Sequence, residues 1–219
     1  MTDRDPDAVA AAVTRGMRSQ LARRDDALAA GATPVGWKIG FNTPAIQAHF
    51  GLADAVVGFM VDTGVSPDGA TVSLAGWTAP AVEVEVAVRV GADGEVTGLA
   101  PALELVDLGI SFEDIEPVLA TNICHRGVIF GDEVPDVDPW AMLATVSKAD
   151  DVVAEGRLVE DPATTVDFVR SYLASHGADL REGDRIIAGS VVAPVAVVPG
   201  DELRVSFGPL GQLSVRFGD

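Results

Sequence analysis

A run of alternating valines is the most regular feature of the chain. Valine occupies every second position from 82 to 90, and Glu83 and Glu85 lie between the first three of these valines. Because side chains alternate between the two faces of a strand, the pattern predicts one apolar face and one face with two carboxylates about 7 Å apart. The next apolar run, over residues 101–106, carries Glu104 near its centre.

The same patterns, with their capping and turn residues, predict the other elements. Helices are predicted over 5–30, 44–50 and 165–176, with a short helix or turn over 112–119. Strands are predicted over 35–41, 56–62, 71–74, 81–90, 102–110, 127–131, 184–188, 191–198, 202–207 and 212–217.

The order of these elements indicates the fold class. Many strands without a regular strand–helix alternation predict an α+β fold with a mixed, rolled sheet rather than a doubly wound one. We expect an N-terminal helical and mixed region, residues 1–70, packed on a β-rich metal-binding catalytic core, residues 71–219, the two forming one functional unit.

Composition narrows the expected partners and location. A formal net charge of -18 argues against nucleic acid and anionic membranes as partners. The single cysteine, Cys124, cannot form an intramolecular disulfide, and residues 1–7 lack the apolar region of a signal peptide. The longest apolar run, 191–198, is too short to cross a bilayer. We therefore expect a cytoplasmic protein.

The three glutamates have two interpretations. Alternation alone favours a solvated strand face for Glu83 and Glu85. Glu104 fits that interpretation less well, because a carboxylate within an apolar run is costly unless it is paired, hydrogen-bonded or bound to metal. The alternative is that all three bind one hard divalent cation, which prefers carboxylate oxygens.

Lysine is rare in this chain, which draws attention to Lys38. Only Lys38 and Lys148 occur, and Lys38 lies in the apolar, glycine-flanked segment 36–40. One interpretation is an edge-strand lysine whose charged tip reaches solvent. The other is an ammonium group that faces a pocket and meets an anionic substrate.

Several segments, in the right order, resemble one enzyme family. The chain is similar to the 2-keto-4-pentenoate hydratases and 4-oxalocrotonate decarboxylases of the fumarylacetoacetate hydrolase superfamily, over roughly residues 8–218. The matching segments are GWKIGFNT at 36–43, PAVEVEVA at 80–87, PALELVD at 101–107, GDRIIAGS at 183–190, PGD at 199–201 and LGQLSVRF at 210–217.

The resemblance implies roles for particular residues and a fold of the fumarylacetoacetate hydrolase type. Mg²⁺ or Mn²⁺ would be the cofactor. The implied metal ligands are Glu83, Glu85 and Glu104, the implied catalytic residues are Lys38 and Asp62, and the implied substrate-binding residues are Asn122, His125 and Ser190. Asp62 is expected to pair with Lys38 or to act as a general base.

The chain also departs from the family pattern. In segment 121–127, Asn122 is kept but Cys124 and His125 stand where the family has serines, and Ala81 stands where arginine is common. The stretch between the two glutamate motifs is short for the family. A thiolate nucleophile at Cys124 is the less favoured interpretation, because adjacent side chains usually point in different directions.

The implied reaction is the addition of water to a 2-hydroxy-2,4-dienoate by a hydratase that works through a metal-chelated enolate, in the catabolism of aromatic compounds. Alternatives on the same scaffold are a 2-oxo acid decarboxylase and an acylpyruvate-type C–C hydrolase. A non-catalytic partner subunit of an active paralogue is a further alternative. We expect a small acidic substrate and a homo-oligomer. A complex with a related decarboxylase or hydratase is the alternative form of association.

Overall fold

The computed structural model describes residues 4–149, 151–158 and 160–219. Its helices are α1 (Pro6–Ala29), α2 (Pro44–Phe50), α3 (Ile115–Ala120) and α4 (Pro162–Ser175). Its strands are β1 (Pro34–Gly40), β2 (Val56–Val61), β3 (Val65–Ser66), β4 (Thr71–Ser73), β5 (Pro80–Val90), β6 (Val96–Asp107), β7 (His125–Phe130), β8 (Ala144–Lys148), β9 (Asp151–Gly156), β10 (Arg185–Ile187), β11 (Val195–Ala196), β12 (Glu202–Ser206) and β13 (Gln212–Gly218).

Two sheets account for these strands. The larger is a curled, mixed sheet in the order β2-β1-β10-β5-β6-β7-β3, to which β11 adds by pairing with β5. The smaller has the order β4-β13-β12-β8-β9. Strands β1 and β10 are parallel, as are β3 and β7, and the central β5–β6 pair is antiparallel. The predicted α+β class with a rolled, mixed sheet is confirmed.

The central pair β5–β6 is buried on both faces. The β5 valines lie in the main core together with side chains of β12 and β13, such as Val205 and Val215. On the opposite face, Ala87 and Ala102 pack with Met60 of β2. The expectation of a solvated strand face is therefore wrong, because the curled sheet covers the face that carries the glutamates.

Helix α1 begins where its sequence signals indicate. The Asp5 carboxylate accepts a hydrogen bond from the Asp7 backbone N–H, and Pro6 occupies the first turn. The helix packs on α3 at Gly16, where an added Cβ would lie 2.7 Å from Leu119 Cβ. This packing holds α3, and the turn that follows it, against the large sheet.

Some predicted elements were wrong or incomplete. The predicted strand 191–198 is reduced to β11, and residues 191–194 form a bend instead. Strand β6 begins six residues earlier than predicted and ends at Asp107. The β8–β9 hairpin and β3 were missed, because their sequences lack a clean apolar alternation.

Strands β1 and β2 precede residue 71 but belong to the same sheet as β5–β7. The two predicted regions therefore share one sheet. Within the described part of the chain, no helix is long and apolar enough to span a bilayer.

Candidate metal and active site

Three carboxylates meet on one face of the central strand pair. In the β5–β6 register Glu83 lies directly opposite Glu104, and Glu85 is two residues further along β5 on the same face. One oxygen from each of the three side chains lies within 4.8 Å of the others. This is the separation expected of ligands around a single ion.

Burial and mutual repulsion change the proton affinities of these carboxyl groups. Burial, together with the charge of Glu104, raises the pKa of Glu83 to about 7 and that of Glu85 well above its usual value. Burial would also raise the pKa of Glu104, but Lys38 and His125 outweigh it and lower this pKa to about 2. Without a cation, the cluster therefore retains protons at neutral pH.

Lys38 reaches the cluster from β1. Its side chain is 2% exposed, and its Nζ donates to Glu104 Oε1 at 2.7 Å and to the Ile123 carbonyl at 2.9 Å. Burial opposes the charged ammonium, yet the nearby glutamates raise the pKa of Lys38 overall. The edge-strand interpretation is wrong, since the ammonium is held inside the protein by a carboxylate.

His125 supports the same carboxylate from β7. Its Nδ1 lies 2.8 Å from Glu104 Oε1, and because an ionised carboxylate only accepts, Nδ1–H is the donor. The other oxygen, Glu104 Oε2, is buried and has no hydrogen-bond partner among the described residues. A buried, unpartnered carboxylate oxygen beside two further carboxylates fits a divalent cation.

Asn122 performs a different job from the one expected of a substrate ligand. Its Oδ1 accepts from the Phe59 N–H and its Nδ2 donates to the Phe59 carbonyl, both at 2.9 Å. Asn122, Ile123 and Cys124 all have φ between 53° and 64°, in the left-handed region. The amide of Asn122 thus pins a strained turn to β2, and that turn presents the Ile123 carbonyl to Lys38.

Asp62 lies at the end of β2, is exposed, and does not contact Lys38. Its two oxygens accept from the Thr33 backbone N–H and hydroxyl at 2.9 and 2.7 Å. These hydrogen bonds lower the pKa of Asp62. The expected Lys38–Asp62 pair is therefore wrong, and the general-base role of Asp62 stays a prediction.

The segment after β10 closes the other side of the cluster. The Gly189 N–H donates to Glu85 Oε2 at 2.8 Å, and the Ser190 hydroxyl donates to the Val192 carbonyl at 2.7 Å. Gly189 has a φ of 98°, which explains why glycine is required at this bend. Ser190 lines the adjacent cleft, as a substrate-contacting residue would, although its proton is used within the bend.

A cleft of about 590 Å³ opens beside Glu83. Its walls come from the end of β1, the start of α2 and the bend after β10. The described residues that line it are Ile39, Gly40, Phe41, Asn42, Thr43, Ile46, Glu83, Gly189, Ser190, Val191, Val192, Ala193 and Pro194.

Cys124 is buried, and burial raises the pKa of its thiol to about 11. A thiol with this pKa is protonated at neutral pH and is a poor nucleophile.

Residues that the sequence did not single out also shape the site. An added Cβ at Gly58 would lie 2.9 Å from Lys38 Cγ and 2.8 Å from Asn122 Oδ1, so glycine makes room for both. The backbone groups of Gly189 and Ile123 are hydrogen-bond partners of the cluster. Gly189 lies in segment 183–190, one of the segments that resemble the family. No feature of the sequence identifies the Ile123 carbonyl as a partner of Lys38.

Comparisons with known proteins support the family that the sequence segments resemble, although no family model matches the chain. It is 30% identical over 203 residues to a 4-oxalocrotonate decarboxylase of Pseudomonas putida, covering 84% of this chain and 77% of the relative. It is 27% identical over 210 residues to 2-keto-4-pentenoate hydratase 1 of Dechloromonas aromatica, covering 87% and 80%.

A solved structure extends the likeness to the fold. The 4-oxalocrotonate decarboxylase from Pseudomonas putida G7, complexed with magnesium and adipate, superimposes with a TM-score of 0.84 at 27% identity, covering 90% of this chain and 83% of that one. The curled sheet and the carboxylate cluster thus define a metal-binding enzyme of the fumarylacetoacetate hydrolase superfamily. Within it, the chain belongs to the family of the 4-oxalocrotonate decarboxylases and 2-keto-4-pentenoate hydratases.

Proposed function

We propose that this protein is a hydratase, dependent on Mg²⁺ or Mn²⁺, that adds water to a 2-hydroxy-2,4-dienoate. The observation that carries the proposal is the convergence of Glu83, Glu85 and Glu104 beside an open cleft, with Glu104 Oε2 buried and unpartnered among the described residues. Related enzymes with hydratase names act on such small acids. Degradation of aromatic compounds is the corresponding metabolic setting.

The three glutamates would hold the cation. When bound, a divalent ion supplies positive charge that polarises the 2-oxygen of the substrate and stabilises the enolate form. Three carboxylate ligands leave octahedral positions for substrate oxygens and water.

The remaining residues keep this ligand set in position. Lys38 and His125 both donate to Glu104 Oε1, which leaves Oε2 as the free ligand atom. The Gly189 N–H holds one oxygen of Glu85 in the same way. We therefore assign Lys38 to positioning of Glu104 rather than to binding of the substrate carboxylate, because two of its three N–H groups are donated inside the protein and Lys38 is not among the described residues that line the cleft.

A 2-oxo acid decarboxylase is the second candidate. Two of the curated relatives and one of the solved structures that the chain resembles are named 4-oxalocrotonate decarboxylase. An acylpyruvate-type C–C hydrolase would depend on the same stabilisation of an enolate by the divalent ion. Products distinguish the three: an added hydroxyl group, released CO₂, or two acid fragments.

Calorimetric titration of Mn²⁺, with and without oxalate, tests the metal site. Oxalate mimics the chelating carboxylate and enolate oxygens of the substrate. We expect one site per chain that oxalate tightens and that Glu85→Gln removes. The matched control is Glu182→Gln, an exposed glutamate outside the cluster, which should titrate like wild type.

Absence of Mn²⁺ binding to the wild-type protein, or binding unaffected by Glu85→Gln, would contradict the proposal. A non-catalytic partner subunit would bind the metal but turn over no dienoate by itself, so product analysis with the loaded protein separates that alternative.

We further propose self-association and a cytoplasmic location. Val152 and Val153 on the edge strand β9 are 59% and 48% exposed, which supports a contact between copies. Light scattering of wild type and Val153→Lys tests this contact. A monomeric wild type would contradict self-association. The alternative, a mixed complex with a related decarboxylase or hydratase, is tested by co-purification of the two proteins.

A further inference from the structure

The cleft beside the carboxylate cluster has a lining that is almost entirely uncharged. Glu83 is the member of the cluster that lines the cleft, so the chelating end of a substrate belongs there. Apart from Glu83, the wall is formed mainly by apolar side chains, together with neutral polar ones. The apolar residues are Ile39, Phe41, Ile46, Val191, Val192, Ala193 and Pro194.

The charges of the residues that line the cleft also restrict which substrates it can bind. Glu83 is the only charged residue among the described residues that line this cleft, and none of them is lysine, arginine or histidine. Lys38 and His125 lie near the cluster, but both donate to Glu104 Oε1 and are committed to that carboxylate. A negative group at the far end of the cleft would therefore find no cationic partner in these walls.

A neighbouring cavity of about 260 Å³ makes the environment more acidic still. It shares Ile39 and Asn42 with the cleft, and its lining includes the acidic side chains of Asp54 and Glu160. Among the described residues of its wall there is again no basic side chain. The described walls of both cavities therefore consist of acidic, neutral polar and apolar groups, and a substrate bound there would meet no basic side chain of these walls.

The physical consequence concerns the distal end of the substrate. A carboxylate moved from water into this cleft meets no cation, because the described residues of its lining offer only neutral donors such as Asn42 and Thr43. Neutral donors replace part of its hydration without balancing its charge, and nearby carboxylates repel it. An alkyl end of the same length gains from leaving water. The relative solved with adipate, by contrast, holds a dicarboxylate.

We infer that this enzyme takes monocarboxylic 2-hydroxy-2,4-dienoates with an uncharged alkyl end and discriminates against dicarboxylic ones. The inference rests on the proposed metal-dependent function and specifies its substrate class. It separates this chain by specificity from relatives whose ligands carry a second carboxylate.

Two inert 2-oxo acids test the inference directly. 2-Oxohexanoate and 2-oxoadipate have six carbons each and the same chelating end, and they differ only in the distal carboxylate. Calorimetry with the Mn²⁺-loaded protein measures their binding independently of turnover. We expect 2-oxohexanoate to bind at least about tenfold more tightly, a difference well within calorimetric resolution.

A charge introduced into the cleft wall should change the preference. Ala193 is exposed and lines the cleft, so Ala193→Arg adds a guanidinium without burying it in the core. This variant should bind 2-oxoadipate several-fold more tightly than wild type. Ala193→Gln, of similar length and without charge, is the matched control and should keep the wild-type preference.

The outcomes separate this inference from the proposed function. Equal binding of the two acids, tighter binding of 2-oxoadipate, or no difference between Ala193→Arg and Ala193→Gln would overturn the specificity while oxalate binding still supports the metal site. Loss of binding for oxalate and both 2-oxo acids would overturn the proposed function, and the specificity with it.

Discussion

At the scale of single residues, Glu104 links the buried Lys38 and His125 side chains to the candidate metal site. One of its oxygens receives hydrogen bonds from Lys38 and His125, and the other is left without a partner among the described residues. A buried carboxylate is tolerated here because a buried ammonium and an imidazole N–H compensate its charge. The same arrangement keeps the free oxygen available to a cation.

Removal of the ammonium should destabilise the protein. Lys38→Met leaves Glu104 buried without its main counter-charge, and loss of one partner of a buried pair costs about 3–5 kcal/mol. Urea unfolding of the metal-free protein measures this. Lys148→Met is the control, because the Lys148–Asp201 pair is partly exposed and should contribute about 1 kcal/mol or less. Similar losses in both variants would contradict the assignment.

The raised pKa values predict a pH dependence. Glu83 and Glu85 bind protons more tightly in the folded chain than in the unfolded one, so metal-free stability should fall as pH rises from about 4.5 through about 7. The lowered pKa of Glu104 acts in a separate window, because its contribution is lost only as pH falls from about 4.5 towards about 2.

Thermal unfolding between pH 5 and pH 8 tests this dependence. The doubly substituted protein, Glu83→Gln with Glu85→Gln, should show a flatter profile than wild type. Added Mg²⁺ should stabilise wild type more at pH 8 than at pH 5, since the ion competes with protons for the same oxygens. A Mg²⁺ effect independent of pH would be evidence against the cluster as the site.

At the scale of elements, the position of β2 against β1 determines where Lys38 lies. Gly58 of β2 pairs with Lys38 of β1, and the side chain of Asn122 caps the next residue, Phe59. The lysine stem passes over the glycine because no Cβ is present there. Strand pairing and a missing side chain thus aim the ammonium at Glu104.

Gly58→Ala should therefore disturb the site through overpacking. The added methyl group would meet Lys38 and Asn122 at less than 3 Å, and we expect a loss of about 1–3 kcal/mol together with weaker metal binding. Gly64→Ala is the matched control, because its nearest neighbour would be 3.7 Å away. Denaturant unfolding and Mn²⁺ titration of both variants measure the two effects. Wild-type metal affinity in Gly58→Ala would contradict this account.

At the scale of the whole molecule, the formal charge of -18 is the dominant electrostatic property. Repulsion among like charges destabilises the compact state and is screened by salt. The carboxylate cluster adds local repulsion inside the protein, which a divalent ion bound there would relieve specifically.

Salt and Mg²⁺ should consequently stabilise the protein in distinguishable ways. NaCl should raise the melting temperature of wild type and of Glu85→Gln by similar amounts, because screening acts on the entire surface. Millimolar MgCl₂, at constant ionic strength, should raise it further in wild type only. An equal MgCl₂ effect in Glu85→Gln would show that the ion acts by screening alone. Differential scanning fluorimetry is sufficient for both series.

The elements that the sequence predicted well are those with strong local signals. Helix α1 and strand β5 were predicted almost to their ends, because caps, proline and the valine alternation are local features. The segment 191–198 failed for the opposite reason. Its apolar residues indicate a strand, but they form the wall of the cleft, and β11 keeps only two paired residues.

The site divides in the same way. The sequence by itself determined the residue types of the candidate site: two glutamates on one strand face, a third in an apolar run, and a rare lysine in a glycine-flanked segment. Only the tertiary structure decided their partners. The β5–β6 register set Glu83 opposite Glu104, Lys38 was directed to Glu104 and not to Asp62, and Asn122 was bound to the backbone of Phe59. Local propensities act between neighbours in sequence, whereas these partners lie 21 to 66 residues apart and meet only when the sheet curls.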